Sequence, residues 1–447
     1  MTTNEMSFFE KLNHWLRNSI SVKMISIGIL ILILLIPTAM IQSLINERQY
    51  TSEAAVNEVS AKWGNEQNVT GPVLVVPYKT LTKNTQNEYV STIDYTYFLP
   101  DKLNIRGEVF PEKRYRGIYE VVLYNTKLDI SGSFPKPDFS EWSIADNDII
   151  WKDAFICVGI PDMRGIKDNI QLLWGNEDIA LNSGIESNTL MTTGVSARIP
   201  VDAESTGKTF SFKINLNGSK GLKFVPLGKE TNLRLTSSWT NPSFDGAFLP
   251  DKRQVDNKGF TAEWKILDLN RNFPQKWHSA TYSFEDSHFG VNLLIPVDQY
   301  QKSLRTAKYA ILIICLTFLV FFFIELLNKR RIHPFQYLLL GLALCLFYSL
   351  LISISEHLNF NLAYYISSFA TILSVSLFTK SVFKSIKLGL LVALELIILY
   401  VFIYIIIQLQ DYALLMGSIG LFIVLAFVMY MSRKITWIKN NPGEEAG

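Results

Sequence analysis

Apolar residues along this chain follow two different rhythms. Between residues 46 and 308 they alternate with polar ones in steps of two. In FSFKINLN, Phe210, Phe212, Ile214 and Leu216 share one face, with Ser211, Lys213, Asn215 and Asn217 on the other. FTAEWKI sets Phe260, Ala262, Trp264 and Ile266 inward, and TKLDISGSF groups Leu128, Ile130 and Phe134. A period of two marks half-buried strands. Turn signals cut them into short units: NG at 217–218, SFPKPD at 133–138, FLPDK at 98–102 and again at 248–252. The pattern predicts a large, mostly antiparallel, sandwich-like β module with few helices. The doubled FLPDK reads as a turn formula used twice, since five residues do not define a repeat. ERQYTSEAAVNEVSAKWG, ahead of the first strand, predicts a helical stalk.

The second rhythm is unbroken apolarity. A membrane-spanning helix needs roughly 20 mainly apolar residues. Residues 24–45 supply the first run, with Pro37 inside it. Lys11, Arg17 and Lys23 precede it, as in a signal peptide, but the run is long for a signal core and no small-x-small cleavage site follows. It reads as an uncleaved anchor. Five more runs lie at 309–327, 335–354, 362–379, 386–407 and 412–431, of which 362–379 is the weakest. Six spans put both termini on one side. Basic residues orient them: Lys329, Arg330 and Arg331 follow span two, Lys380, Lys384 and Lys387 follow span four, and Arg433, Lys434 and Lys439 follow span six. The opposite connections, SEHLNFN and QLQD, hold no Lys or Arg. Positive loops stay cytoplasmic, so the expected order is a cytoplasmic N-terminus (1–23), an anchor helix (24–45), a periplasmic β module (46–308), a bundle of five transmembrane helices (309–431) and a cytoplasmic tail (432–447). NKRRIH, with His333 before Pro334, is then first a topology signal and a turn into span three. An acidic-lipid site there is the lesser reading.

Composition removes several classes. A net charge of +2 gives no electrostatic footprint for nucleic acid. Of three cysteines only Cys157 lies in the polar region, so the module holds no internal disulfide, and Cys157 in FICVGI reads as a small buried hydrophobe. There is no HExxH, GxSxG or P-loop, and no Cys/His ligand set; the five histidines are His14, His278, His288, His333 and His357. No metal or cofactor is expected. RYRGIYE and GIPDMRGI place Arg114, Arg116, Asp162 and Arg164 among glycines, which suits Arg–carboxylate pairs pinning tight turns.

Acids at membrane depth matter more, because an ionisable residue there needs a partner or a use. Glu395 in VALELIILY lies near mid-depth. Its uses are a proton relay, a headgroup contact or an interhelical hydrogen bond. Glu325 lies near one end of its span, a helical turn from Lys329, which predicts a local ion pair. Glu356 and His357 are adjacent at a span mouth, where an acid and an imidazole either bind an ion or meet water and headgroups.

Several segments carry a resemblance: RYRGIYEVVLYNTKLDISGSF (114–134), VGIPDMRGI (158–166), WTNPSFDGAFLP (239–250), GVNLLIPVDQYQKSLRTAKYAILII (290–314), HPFQYLLLGLALCLFYSLLISISEH (333–357) and DYALLMGSIGLFIVLAFVMYMSRKITW (411–437). In order and layout the chain resembles the CreD-type inner-membrane proteins, the cell envelope integrity family. The resemblance implies a bacterial inner membrane, a link to a two-component regulatory system, and envelope stress with altered tolerance to colicins and β-lactams. It carries over no catalytic residue. The expected function is maintenance of the envelope under stress, without enzymatic activity, by binding a lipid, glycan or envelope protein through the module. The rival readings are a transporter or lipid-handling protein using Glu395, and a membrane enzyme acting on lipid-linked substrates.

Overall fold

The structure, a computed structural model, describes residues 20–83, 88–187, 190–278, 282–293, 299–328, 332–409 and 412–433. It divides into two compact units, residues 1–51 with 298–447 and residues 52–297. The apolar anchor and the predicted stalk form one continuous helix, α1 (Ile20–Trp63), with Pro37 inside it.

The β unit contains two sheets among the described residues. The eight-stranded sheet runs, edge to edge, Lys252–Asp256, Gly259–Leu267, Glu230–Ser237, Lys102–Arg116, Tyr119–Phe134, Lys208–Ser219, Gln171–Trp174 and Glu177–Ala180. The nine-stranded sheet runs Pro242–Gly246, Phe289–Leu293, Gly221–Phe224, Gln67–Lys83, Phe155–Gly159, Gly194–Arg198 and Asn182–Ser183, with Tyr89–Phe98 and then Lys276–His278 branching from Gln67–Lys83. Pairing is mostly antiparallel. Two pairs are parallel: Lys102–Arg116 with Glu230–Ser237, and Gln67–Lys83 with Gly221–Phe224.

One core serves both sheets. The faces predicted from period two turn inward: Phe210, Phe212, Ile214 and Leu216, Phe260, Ala262, Trp264 and Ile266, and Leu128, Ile130 and Phe134 are all buried. Each such apolar side chain contributes about 1.5–3 kcal/mol relative to exposure. The chain passes from one sheet to the other at Lys220, a left-handed residue with φ 64° between Lys208–Ser219 and Gly221–Phe224. Tyr124 fastens that corner by donating from its hydroxyl to the Gly221 carbonyl at 2.7 Å. Trp63, at the end of α1, donates its indole N–H to the Tyr124 carbonyl at 3.1 Å.

The other unit is helical. Helices α2 (Gln299–Lys308), α3 (Ala310–Asn328), α4 (Pro334–Ser355), α5 (Phe360–Phe383), α6 (Ile386–Gln408) and α7 (Ala413–Ser432) follow in order. The segments containing α1, α3, α4, α5 and α6 are each long and apolar enough to cross a membrane; α7, at the sixth expected span, contains the shorter apolar stretch Leu415–Tyr430. Short connections make α4, α5 and α6 antiparallel neighbours. Their ends carry local signals. Asn359 caps α5 by accepting the Leu362 N–H at 2.9 Å, and Lys384 ends it in the left-handed region. On α1, Leu34, Ile41 and Ile45 are buried. Gly341 on α4 lies so close to Leu34 and Phe318 that a Cβ there would come within 2.1 Å of the leucine. Small residues admit such close approach between membrane helices.

Candidate functional sites

The four sequence-marked positions on α3 and at the ends of α4 lie in different environments. Glu325 is buried, 5% exposed, and fully engaged. It forms an ion pair with Lys23 at 2.6 Å and accepts the Ile332 N–H at 3.1 Å and the Tyr337 hydroxyl at 3.3 Å. Its partner is thus on α1. The expected partner, Lys329, lies outside the described residues, as do Arg330 and Arg331 of the basic connection. His333 is an exposed helix cap. Its Nδ1 accepts the Phe335 N–H at 3.2 Å, and Gln336 accepts the His333 N–H at 3.1 Å. The residue before the proline therefore forms a capping box at the start of α4.

Glu356 and His357 are neighbours in sequence but do not work together. Glu356 turns inward toward Arg48, at 3.9 Å, and the Tyr300 hydroxyl, at 3.5 Å, while His357 is exposed in the following turn. Glu395, near the middle of α6, accepts a hydrogen bond from Thr317 of α3 at 3.2 Å, and its second carboxylate oxygen is buried without a hydrogen-bond partner among the described residues. The same holds for the hydroxyls of Tyr348, Tyr400, Ser367 and Ser368. These hydroxyls escaped the sequence reading because each is unremarked in a single apolar run. The one signal was the weakness of span four: mean hydropathy is 1.5 for α5, against 2.4–2.9 for the other spans. That weakness comes from Ser367, Ser368, Thr371 and Thr379, which are turned inward and buried.

In the β unit the glycine-rich arginine motifs pin turns. Arg164 holds Asp162 bidentately at 2.8 Å and 2.8 Å, and Asp162 also accepts the Asn65 N–H at 2.9 Å. The Arg164 hydrogen bonds hold the Asp162 carboxyl below the usual carboxylate range; burial opposes them and the Asn65 N–H assists. Gly117, at φ 62°, turns the hairpin between Lys102–Arg116 and Tyr119–Phe134, with Arg114 on Glu112 at 3.0 Å and Arg116 on Glu58 at 3.3 Å. Cys157 is buried among the core, which pushes its thiol up to about 12. Such a thiol is packing, not a nucleophile. His278 approaches the Tyr78 hydroxyl at 3.3 Å, and that hydroxyl donates to Asp94 at 3.0 Å, a carboxylate–phenol–imidazole grouping spread over three strands.

The outer face of the eight-stranded sheet forms an open groove of about 1320 Å³. Strand register lines up its side chains in two transverse rows. One is neutral: Asn232, Asn104, Ser131 and Ser211 lie side by side on four adjacent strands, and Asn232 donates to Asn104 at 3.2 Å. The other is charged: Glu263, Arg234, Arg106, Asp129 and Lys213 follow one another across five strands. Arg234 meets Glu263 at 3.3 Å and Lys213 meets Asp129 at 3.6 Å. Along each strand these positions are simply the polar half of the alternation, so only the register reveals the rows.

A set of apolar helices of spanning length, together with a two-sheet β unit, defines a multi-pass membrane protein carrying a large β module. The chain belongs to the family of inner membrane protein CreD, whose family model matches residues 19–438. It is 32% identical over 426 residues to the inner membrane protein CreD of Escherichia coli (strain K12), covering 93% of each chain. The chain is accordingly an inner-membrane protein with several spans.

Proposed function

We propose that this protein maintains the cell envelope under stress by binding an envelope component in the groove of its β module. In this reading the module is periplasmic, both termini are cytoplasmic, and the protein is a binding protein and not an enzyme. The groove carries the proposal: a broad open surface offers a row of amides and hydroxyls beside a row of mixed charge. Neutral donors and acceptors in register suit an extended polar ligand, such as a glycan strand, and the mixed charges suit one with both amino and carboxyl groups. Arg234 and Lys213 meet carboxylates on the sheet itself, so a ligand exchanges partners there without stranding a charge.

The test fills the groove without touching the core. Ser131→Trp with Ser211→Trp places two indoles on the open face. A strain lacking the gene should regain growth on detergent and cell-wall antibiotics with the wild-type protein and fail to regain it with the variant at equal membrane level. Full rescue by the variant would remove the groove from the mechanism. Orientation has its own check: periplasm-active reporters fused after Lys308 should be active, and those fused after Arg331 or Lys387 silent. Glu395 and the hydroxyls around it favour a second reading, in which the helices handle an ion.

A further inference from the structure

We infer that Glu395 is an exchangeable-proton site, reached from one end of the helical unit along a line of unpartnered hydroxyl groups that, among the described residues, the other end lacks. This goes beyond the groove-binding reading and stands independently of it. Four observations converge. Glu395 sits near the middle of α6, and no Lys, Arg or His lies within ion-pair distance of it among the described residues. Its single hydrogen-bond partner among the described residues is the Thr317 hydroxyl, and its other oxygen is buried with none there. A carboxylate without a countercharge is unstable in such a place, whereas a neutral carboxylic acid is tolerated and can donate a hydrogen bond.

Second, the unpartnered polar atoms are near one another. Tyr400, five residues along α6, lies within interaction range of Glu395, Thr371 and Tyr364, and Tyr348 within range of Tyr400 and Tyr364. Buried polar atoms in such numbers call for water as partner.

Third, the unpartnered hydroxyls extend in one direction. From Glu395 they lead past Tyr400 and Ser368 to Tyr364, whose ring lies 5.3 Å from that of Tyr404, near the end where α5 begins and α6 finishes. Fourth, in the opposite direction the buried Thr379 hydroxyl is taken up by its own helix, on the Val375 carbonyl at 2.7 Å, and aromatic rings pack together. Phe318 and Phe321 pack on Tyr337 at 5.4 and 6.2 Å, and Phe321 on Phe383 at 6.0 Å. Of the titratable groups, Tyr400 on its own helix lies within range of Glu395, and Tyr364 on α5 and Cys345 and Tyr348 on α4 lie around Tyr400. On α2, Lys302 lies over Phe360 at the hydroxyl end, 5.7 Å from the ring centroid. The span of α7 carries no charged residue.

The experiment uses the full chain in lipid nanodiscs and dicyclohexylcarbodiimide, which reacts with carboxylic acids in apolar surroundings. The acid gives its proton to a carbodiimide nitrogen while its oxygen bonds to the central carbon; the adduct rearranges to a stable acylurea with no atom lost. Peptide mass spectrometry should find Glu395 labelled at pH 7 at least tenfold more than Glu325, whose ion pair with Lys23 makes it the internal control. Thr317→Val, which removes the one donor to the ionised form, should extend labelling to more alkaline pH. Absence of label at Glu395 at every pH from 5 to 9, or equal labelling of Glu325, would overturn the site. For the route, cysteines are introduced singly into a background lacking the native three. Ser368→Cys should react with a water-soluble methanethiosulfonate and Phe321→Cys should not; the reverse result would overturn the direction of access.

Discussion

Lys23 stands immediately before the first apolar run, yet its ammonium lies 2.6 Å from a buried carboxylate 302 residues away. Lys23→Met removes that partner. Among the described residues Glu325 then keeps the Ile332 N–H and the Tyr337 hydroxyl, at 5% exposure. Stripping one member from a buried pair costs about 3–5 kcal/mol, because the other charge stays desolvated. The Lys23 side chain is itself 30% exposed, so water already shares part of the pair, and the expected loss is about 2–3 kcal/mol. The reverse change is milder. In Glu325→Gln the amide still accepts from Ile332, and the long Lys23 stem carries its charge to the interface, for a loss of about 1 kcal/mol. Replacing both, Lys23→Met with Glu325→Met, removes the desolvated charges together and should restore stability to within about 1 kcal/mol of wild type or above it. Thermal unfolding of the detergent-purified protein, followed by size-exclusion fluorescence, ranks the three variants. If Lys23→Met unfolds with the wild type, or if the double variant is no more stable than Lys23→Met, the pair is not what holds α1 to α3.

Two further outcomes follow from single contacts. Asp162, held below the usual carboxylate value by Arg164, contributes stability that is complete above its unfolded value of about 3.9 and is lost as pH falls through the lower folded value. Asp162→Asn should therefore be less stable than wild type at pH 7 and show a flatter loss of tryptophan fluorescence below pH 4; identical acid profiles would refute the assignment. Gly341→Val drives a side chain into Leu34 and Phe318. It should lower stability by about 1–3 kcal/mol, an effect that Leu34→Ala partly relieves, and additive losses in the double variant would show that the two helices do not meet there.

The strand faces were legible because burial in a sheet follows the parity of the chain, and parity is local. Phe210 to Leu216 and Phe260 to Ile266 came out inward for that reason. The pairing was not legible. Lys102–Arg116 runs parallel to Glu230–Ser237, more than a hundred residues apart in sequence, and nothing in either strand names the other. Among the acids, Glu395 stood out because every neighbour in its run is apolar, whereas its donor Thr317 and the surrounding tyrosines belong to other runs. Helical spacing pointed Glu325 at Lys329 and adjacency pointed Glu356 at His357. The fold brings Lys23, from another helix, to Glu325, while Lys329 lies outside the described residues, and it turns Glu356 toward Arg48 and Tyr300.

The two copies of FLPDK show where the boundary lies. Both lead into strands of the same sheet, one beginning at Lys102 and one at Lys252. The first strand is central and the second is an edge. Leu99 is accordingly 1% exposed and Leu249 69% exposed, although the five residues are the same. A short formula specifies a turn through the geometry of Pro and Asp. Whether the leucine beside it is core or surface depends on which strands later pair on either side. The groove residues obey the same logic. Asn104, Ser131 and Ser211 are ordinary outward positions until register sets them shoulder to shoulder, so the row belongs to the pairing and to no segment alone.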